Sequence, residues 1–217
     1  FQGSRGLGDV YKRQHINILI LVLIACSLFS KVYSQKKMQP VELVYPLLDT
    51  ANSRWFFFAS ASRPFGMVNL SPDTAINGSW DSGYRYNRDT INFFSHIHAW
   101  QLSGIPVLPV TGNFKGHLGS EKYGSIFSHE NEVIKAGYHS VDLETYDVRV
   151  ELTSTARVGF HRYNFPKGKE KYVLLDLGTV LGPSATEKGY ALQIGQNEII
   201  GYALMAATKR RPKSTYV

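Results

Sequence analysis

The sequence predicts an all-β protein, an antiparallel β-sandwich that spans residues 35–217. From residue 41 onward, short apolar runs alternate with clusters of Gly, Pro, Asn and Asp, which is typical of strands joined by turns. No stretch keeps apolar residues at positions i, i+3, i+4 and i+7 for three turns, so a helical fold is disfavoured. Strict alternation of apolar and polar residues over 148–152 is the third indication, because successive side chains of a strand point to opposite faces.

The segment "AGYHSVDLETYDVRVELTSTARVGFHRYNF" predicts three consecutive strands. Gly137 permits a tight turn into the first strand, which ends at Leu143 before the turn residues "ETYD". The second strand carries the alternation over 148–152, and "TSTA" then turns the chain. The third strand is expected to carry its apolar side chains at Val158, Phe160 and Tyr163.

Three further segments predict strands, and one predicts a helix. "KYVLLDLG" is apolar enough to be covered on both faces, so it predicts a central strand. "ALQIGQNEIIGYAL" predicts two strands joined by a turn at "GQN", and a last strand begins within "STYV". A short helix is expected around 51–57. We expect the domain to be truncated at its C-terminus, inside a larger protein.

The first 34 residues are predicted to lie outside the folded domain. Residues 1–14 lack an initiator Met and any apolar period, so we treat them as a sequencing or assembly artefact. Residues 15–34 have the apolar core and small-residue end of a signal peptide, and their apolar stretch is shorter than the about 20 residues of a membrane-spanning helix. Cleavage after Ser34 predicts a secreted protein. Alternatively, "LIAC" is a lipobox and Cys26 anchors a lipoprotein in the periplasm or at the cell surface.

Cysteine content and charge exclude several classes of protein. Cys26 is the single cysteine and lies in the predicted leader, so a disulfide framework, a thiolate metal site and a cysteine nucleophile are excluded. The net charge is +7, but much of it comes from residues 209–213 near the C-terminus. Because a nucleic-acid-binding protein spreads its basic residues over a face, no nucleic-acid partner is expected.

The segment "SRPFGMVNLSPDT", residues 62–74, is the first of three candidate binding clusters. Arg63 precedes a proline, which favours extended backbone, and Gly66 lets the backbone approach another group closely. Fixed backbone N–H groups and an arginine suit the hydroxyl groups of a sugar. The alternative interpretation is the entry to a strand with an incidental arginine.

The second cluster is "SWDSGYRYN", residues 79–87. It places Trp80, Tyr84 and Tyr86 around Asp81 and Arg85, so aromatic faces lie beside hydrogen-bonding groups. Carbohydrate sites favour this mixture, because the CH-rich face of a pyranose stacks on an aromatic ring while its hydroxyl groups need polar partners. A turn with partly buried aromatic residues is the alternative interpretation.

The third cluster is "FFSHIHAWQLSG", residues 93–104. On a strand, His96 and His98 would point to the same face, where they could bind a metal ion or donate to a sugar. Trp100 would share that face and suits a sugar platform. A metal site would need further ligands from distant positions, and the spacing selects none of the candidates His117, His129 and Asp81.

Glycoside hydrolysis usually requires two carboxylic acids that flank the scissile bond. The acidic residues of this sequence lie mostly at predicted turns, as Asp49, Asp73 and Asp89 do, or beside basic neighbours at strand ends. None of them forms a convincing catalytic pair. We therefore predict no catalytic residue and no metal ligand within the sequence.

A series of motifs resembles, in the same order, the N-terminal domain of the glycoside hydrolase family 92 α-mannosidases. The resemblance covers residues 41–217 and rests on "SRPFGMVNLSPDT", "GYRYN", "FFSHIHAWQLSG", "LPVTG", "AGYHSVDLETYDVRVELTSTARVGFHRYNFP" and "YVLLDLG". It implies an exo-acting, inverting, calcium-dependent enzyme that removes α-linked mannose from glycans. It also implies a second domain, an (α/α)6 barrel, that supplies the catalytic acid and base and most Ca²⁺ ligands.

The resemblance also implies which residues line the substrate cleft, because the N-terminal domain of the family completes it. One departure is that Trp100 and Gln101 follow "FSHIH", where many relatives have small and acidic residues, so these two positions are expected to influence linkage preference. The predicted substrate-binding residues are Arg63, Phe65, Gly66, Trp80, Asp81, His96, His98, Trp100 and Gln101.

The sequence therefore predicts the N-terminal domain of a secreted exo-α-mannosidase, inactive without its second domain. Its expected partners are α-mannoside glycans and that catalytic domain, and its expected cofactor is Ca²⁺ bound mainly by the latter. The alternatives are a free-standing carbohydrate-binding module and, in third place, a purely structural extracellular β-domain.

Overall fold

The computed structural model describes residues 14–24, 37–51, 60–76, 82–98, 102–119, 122–209 and 212–216. The chain divides into two compact units, Phe1–Met38 and Gln39–Val217. In the first unit, residues 14–24 form a helix with exposed apolar side chains. Within the described ranges, no helix combines the length and the apolar character needed to cross a membrane. Residues 52–57 of the predicted short helix lie outside the described ranges.

The second unit consists of antiparallel strands with short 3-10 helices at Pro40–Leu43 and His129–Asn131, so the all-β prediction is confirmed. In chain order the strands are β1 (Ser71–Asp73), β2 (Thr90–Ile91), β3 (Phe93–Ser95), β4 (Ile97–His98), β5 (Leu102–Ser103), β6 (Val107–Thr111), β7 (Ser125–Ile126), β8 (Val133–Lys135), β9 (Tyr138–Leu143), β10 (Val148–Ser154), β11 (Gly159–Asn164), β12 (Lys171–Leu175), β13 (Val180–Leu181), β14 (Ser184–Ile194), β15 (Glu198–Met205) and β16 (Ser214–Tyr216).

Most of these strands belong to three four-stranded sheets. The first sheet has the order β1-β3-β6-β12, the second β11-β10-β9-β8 and the third β13-β14-β15-β16. Two short pairs, β2-β7 and β4-β5, lie outside these sheets. The first two sheets bury a common apolar core, as expected for a sandwich. Their core residues are Phe93, Phe94, Leu108 and Val110 from the first sheet and Val141, Leu143, Val148, Val150 and Leu152 from the second.

The three strands predicted within residues 138–164 are confirmed, but the inward-facing side chains of β11 differ from those expected. β10 pairs with both β9 and β11, and its inward side chains at 148, 150 and 152 are buried as expected. On β11, however, Phe160 is exposed, whereas His161 and Tyr163 on the opposite face are half-buried. The inward face of this strand therefore carries polar aromatic residues, and the apolar Phe160 points outward.

The expectation that "KYVLLDLG" forms a central strand is wrong for the described part of the chain. β12 pairs with β6 along its whole length and forms the edge of its sheet. Its residues alternate between exposed and half-buried, and Val173 and Leu175 are exposed. A continuous apolar run thus occurs on an edge strand here, with one face packed and the other open.

The third sheet contains the predicted hairpin, β14-β15, with its turn at residues 195–197. Tyr190 lies opposite Tyr202, and Leu192 lies opposite Ile200, so these four side chains share one face. The two tyrosine rings stack with 5.9 Å between centroids. Tyr190, Leu192 and Ile200 are exposed, so this face of the hairpin has no covering layer among the described residues.

Candidate functional site

The loop before β1 carries an exposed aromatic residue on unusual backbone. Phe65 has φ 60°, a left-handed conformation that costs a non-glycine residue about 1–2 kcal/mol. Its side chain is completely exposed, so no packing contact compensates for that cost. Arg63, two residues earlier, is exposed as well. A strained and exposed aromatic side chain is a feature found at ligand-binding loops.

Close contacts attach this loop to the turn between β10 and β11. Gly66 donates a backbone hydrogen bond of 2.9 Å to the carbonyl oxygen of Arg63, and Met67 donates one of 2.7 Å to that of Ala156. A Cβ atom on Gly66 would lie 3.0 Å from the Arg63 oxygen and 3.5 Å from Ala156. The tight contact at Gly66 is therefore with the Arg63 carbonyl of the same loop, and Ala156 lies at ordinary van der Waals distance.

His96 and His98 do not share a strand, contrary to the expectation from their spacing. β3 ends at Ser95 and β4 begins at Ile97, with a bend at His96 between them. The two side chains consequently contact different elements. His98 reaches β1, whereas His96 reaches β11.

His98 is completely buried in an ion pair. Its Nε2 donates to Oδ1 of Asp73 at 2.7 Å, and its Nδ1 donates to the carbonyl oxygen of Asn69 at 2.6 Å. Both ring nitrogens face acceptors, so His98 is an imidazolium paired with the Asp73 carboxylate. Burial alone would lower the pKa of His98, but the charge and hydrogen bond of Asp73 raise it above its ordinary value.

Ser95 completes this cluster but does not make it a nucleophilic triad. Its Oγ lies 3.3 Å from Nε2 of His98, the same nitrogen that contacts Asp73. A triad needs the nucleophile hydroxyl and the orienting carboxylate on opposite nitrogens of the imidazole. Asp73 was expected at a turn, but it ends β1 and is completely buried, so its role is structural.

His96 belongs to a second polar cluster, which we name the His96 cluster and which consists of His96, His161 and Tyr163. Nε2 of His96 lies 2.9 Å from Nε2 of His161, and the Tyr163 hydroxyl lies 2.8 Å from Nδ1 of His161. The ring of His161 also packs edge-on against Phe94 of the core. All three members of the cluster are half-buried.

Burial keeps both histidines of this cluster neutral. Burial, together with the neighbouring charge of His98, lowers the pKa of His96, although Asp73 and a hydrogen bond to the Ile105 backbone oppose the shift. Burial and then His96 lower the pKa of His161 to about 3. Burial raises the pKa of Tyr163, which stays protonated. The cluster is therefore uncharged at neutral pH.

A third polar cluster surrounds Glu132. Its carboxylate accepts hydrogen bonds from Tyr84 at 2.8 Å, from Nδ1 of His129 at 2.6 Å and from Nε2 of His139 at 2.8 Å. Tyr84 and Arg85 are buried, so they are not sugar platforms, whereas the exposed ring of Tyr86 stacks on His129 at 4.0 Å. Burial raises the pKa of Glu132, but its three hydrogen-bond donors outweigh that effect and lower the pKa.

The described ranges contain no group of three or more His, Cys, Asp or Glu side chains placed to hold a metal ion. The histidines considered as ligands have other contacts: His129 binds Glu132, and His117 packs against Phe114. The histidine of "FSHIH" closest to the surface, His96, has its Nε2 occupied by His161. Among the described residues, then, no group of carboxylate side chains is placed to bind Ca²⁺.

The structure brings together part of the predicted site. Asn69 joins the loop at 62–70 to both histidines, because its N–H donates to the carbonyl oxygen of His96 at 2.8 Å and its own carbonyl accepts from His98. Four of the predicted residues, Trp80, Asp81, Trp100 and Gln101, lie outside the described ranges. That the predicted residues bind sugar stays a prediction.

Sequence reasoning missed His161 and Tyr163, which complete the surroundings of His96. They lie 65 and 67 positions from His96 in the chain, so no local spacing links them to it. The one available signal was the alternation of Gly159, His161 and Tyr163 along a predicted strand, which places them on the same face.

Comparison with solved structures finds the same fold within glycosyl hydrolases of family GH92. The family GH92 α-mannosidase BT3965 from Bacteroides thetaiotaomicron, in complex with mannoimidazole, matches with 28% identity and a TM-score of 0.71, over 81% of this chain and 24% of that one. The GH92 glycosyl hydrolase ccman5 matches at 22% identity, with a TM-score of 0.66, over 81% of this chain and 25% of its own. The inverting mannosidase BT2199 from Bacteroides thetaiotaomicron matches at 20% identity, with a TM-score of 0.53, over 84% and 29%. The last two likenesses concern the fold alone.

Residues 43–217 match the model of the glycosyl hydrolase family 92 N-terminal domain. The chain belongs to glycoside hydrolase family 92. It spans about a quarter of the length of the solved relatives, 24% for BT3965. Comparison with curated protein sequences gives no match.

Proposed function

We propose that this chain is the N-terminal domain of a secreted exo-α-mannosidase that hydrolyses terminal α-mannosyl linkages of glycans with inversion. The match of residues 43–217 to the family model carries the proposal. The likeness to an α-mannosidase solved with mannoimidazole supports mannose as the sugar. In this proposal the domain supplies one wall of the substrate cleft, and a second domain completes it.

The exposed end of the loop at 62–67 is the proposed contact of this wall with the sugar. Phe65 offers a fully exposed aromatic ring, and the exposed side chain of Arg63 offers guanidinium donors for hydroxyl groups. The hydrogen bonds of Met67 and Asn69 hold this loop against the turn after β10 and against His96. Trp80, Asp81, Trp100 and Gln101 are proposed to contact substrate on the ground of the family resemblance.

The proton-transfer groups are proposed to come from outside residues 1–217. Asp73 and Glu132 have deeply buried carboxylates in the polar clusters described above. Both carboxylates are already bound by protein donors. A general acid or base must reach the glycosidic oxygen or a water molecule, and neither of these side chains can do so. In the proposal, therefore, the domain binds and orients substrate.

Calcium is proposed as the cofactor of the whole enzyme, bound by the second domain. Hard cations prefer several oxygen ligands, which the described carboxylates do not bring together. When bound, the ion would polarise sugar hydroxyl groups and help distort the mannose ring. Secretion is proposed from the apolar segment at residues 15–34, with a lipid anchor at Cys26 as the alternative.

The test is an assay of the polypeptide encoded by the whole reading frame that contains this chain. We expect it to release mannose from α-linked mannobioses with added Ca²⁺ and to lose that activity in the presence of a chelator. Proton NMR during the reaction should show β-mannose as the first product, as inversion requires.

The outcomes separate the alternatives. Binding of mannosides without hydrolysis, by a protein that ends near residue 217, would support a carbohydrate-binding module. Neither binding nor hydrolysis with Ca²⁺ present would reject both sugar-related functions and leave a structural β-domain.

A further inference from the structure

The strand β11 belongs to the motif "ARVGFHRYNFP", for which the proposed function gives no role. Its inward residues are Gly159, His161 and Tyr163, and its outward ones are exposed. All three inward residues bear on the position of His96. Gly159 lies against its ring, His161 forms a hydrogen bond with it, and Tyr163 forms a hydrogen bond with His161. The inward face of this strand is therefore built around one histidine side chain.

The hydrogen bonds of this cluster form one chain that ends on His96. The 2.9 Å contact joins Nε2 of His96 to Nε2 of His161, so one of these two nitrogens donates and the other accepts. Nδ1 of His161 forms the next hydrogen bond, at 2.8 Å, with the Tyr163 hydroxyl. Both ring nitrogens of His161 are therefore bound, which fixes the partner that Nε2 of His96 meets.

Gly159 provides the space in which the His96 ring lies. A Cβ atom at position 159 would be 2.7 Å from Cδ2 and 3.2 Å from Nε2 of His96. Real Cβ atoms essentially never make a contact of 2.7 Å, so any other residue would displace the ring. The glycine and the hydrogen bond with His161 together confine the same edge of the imidazole.

We propose that His161 is a positioning residue for the sugar cleft, which holds His96 in one orientation with Tyr163 behind it and Gly159 beside it. The proposal rests on the proposed function, because it takes His96 as part of the wall that meets the sugar. Because Nε2 of His96 is engaged by His161 inside the protein, His96 contacts the sugar in this proposal through the face of its ring. An aromatic face suits the CH-rich side of a pyranose.

Two substitutions separate this role from simple packing. Phenylalanine at position 161 keeps an aromatic ring against Phe94 but forms no hydrogen bond, whereas glutamine loses the ring and can donate or accept through its amide. A packing role is therefore preserved in His161→Phe and damaged in His161→Gln. A positioning role shows the opposite pattern.

The experiment compares the two variants in the full-length protein by titration with methyl α-mannoside and by crystal structures without sugar. We expect His161→Gln to keep the affinity of the wild type within about threefold and His161→Phe to lose about tenfold, the effect of one hydrogen bond. The His96 ring should keep its place in the glutamine variant and rotate in the phenylalanine variant. Tyr163→Phe should weaken binding less, and Tyr138→Phe, which removes a hydroxyl bound to Glu151 instead, should have no effect.

Equal affinity in both position-161 variants with an unmoved His96 ring would overturn the proposal. If one of them does not fold, Tyr163→Phe against Tyr138→Phe decides the question by the same two measurements. A wild-type protein that binds no mannoside would refute the proposed function. In that case the ring positions alone decide whether His161 fixes His96.

Discussion

Asp73 and His98 form an ion pair in complete burial, with 2.7 Å between Oδ1 and Nε2. The pair joins the end of β1 to β4, and the carbonyl oxygen of Asn69 holds the other side of the imidazole. Two opposite charges without access to water are costly unless both stay in place. Removal of either partner is therefore expected to be strongly destabilising.

Asp73→Ala should lower the free energy of unfolding by about 3–5 kcal/mol, because it leaves the His98 imidazolium buried without its anion. The raised pKa of His98 sets the pH dependence. The stability that the pair contributes is fully present below the unfolded pKa of about 6.5 and declines as pH rises through the folded pKa. Urea unfolding between pH 6 and pH 9 measures both effects. Asp89→Ala, at an exposed aspartate, should change stability by less than about 0.5 kcal/mol.

Glu132→Gln should destabilise the domain by about 3 kcal/mol at pH 7, since the carboxylate accepts from Tyr84, His129 and His139. The folded-state pKa of Glu132 is depressed, so its contribution is present above about pH 4.5 and is lost as pH falls. Acid unfolding of the wild type should therefore be steeper than that of the variant. The exposed neighbour Glu130 supplies the control, and Glu130→Gln should follow the wild-type curve. Parallel acid curves for wild type and Glu132→Gln would contradict the assignment.

Gly159→Ala should destabilise by about 1–3 kcal/mol, because the new methyl group overlaps the His96 ring at 2.7 Å. Thermal unfolding measures the loss. Gly178→Ala is the matched control, since a Cβ there meets no atom closer than 4.0 Å and its backbone is not left-handed. A tolerated alanine at position 159 would show that the His96 ring is free to move aside.

Phe65→Gly should leave stability unchanged or raise it by up to about 1 kcal/mol, because glycine adopts φ 60° without strain and no buried contact is lost. The same substitution should weaken mannoside binding in the full-length enzyme. Phe114→Gly, at a partly exposed phenylalanine with ordinary backbone that stacks near Tyr123, should destabilise instead. A Phe65→Gly variant with unchanged affinity would remove Phe65 from the proposed cleft.

Trp100→Ala in the full-length enzyme should reduce kcat/KM far more for a mannose disaccharide than for a mannoside with an activated aryl leaving group. The reason is that the proposed contact of Trp100 is with the leaving-group sugar, which the aryl substrate lacks. Steady-state kinetics with both substrates measure the difference. An equal loss on both would place Trp100 away from that subsite.

Local patterns in the sequence predicted the strands whose two faces differ most. The sequence alternates over 148–152 because Val148, Val150 and Leu152 enter the core while the residues between them do not. The turn at Gly137 could be predicted because its backbone, with φ 79°, favours glycine over other residues. Both features depend on neighbours within a few residues.

Features that depend on distant partners were not predictable in this way. The apolar run of β12 suggests a central strand, but pairing of sheet neighbours decides that it lies at an edge. The i, i+2 spacing of His96 and His98 implies a common face only on a continuous strand, and the bend at His96 removes that condition. Contact between His96 and His161 arises when β3 and β11 come together in the fold.

The uncovered face of the β14-β15 hairpin has a consequence for the solubility of the isolated domain. Tyr190, Leu192 and Ile200 form a row of apolar side chains on the part of the β13-β14-β15-β16 sheet near the hairpin turn, and no described residue covers that row. Because exposed apolar patches favour association, we expect this row to promote self-association of residues 39–217 when they are produced alone. Charged residues placed on that row, far from the His96 cluster in sequence, are the natural route to a soluble preparation.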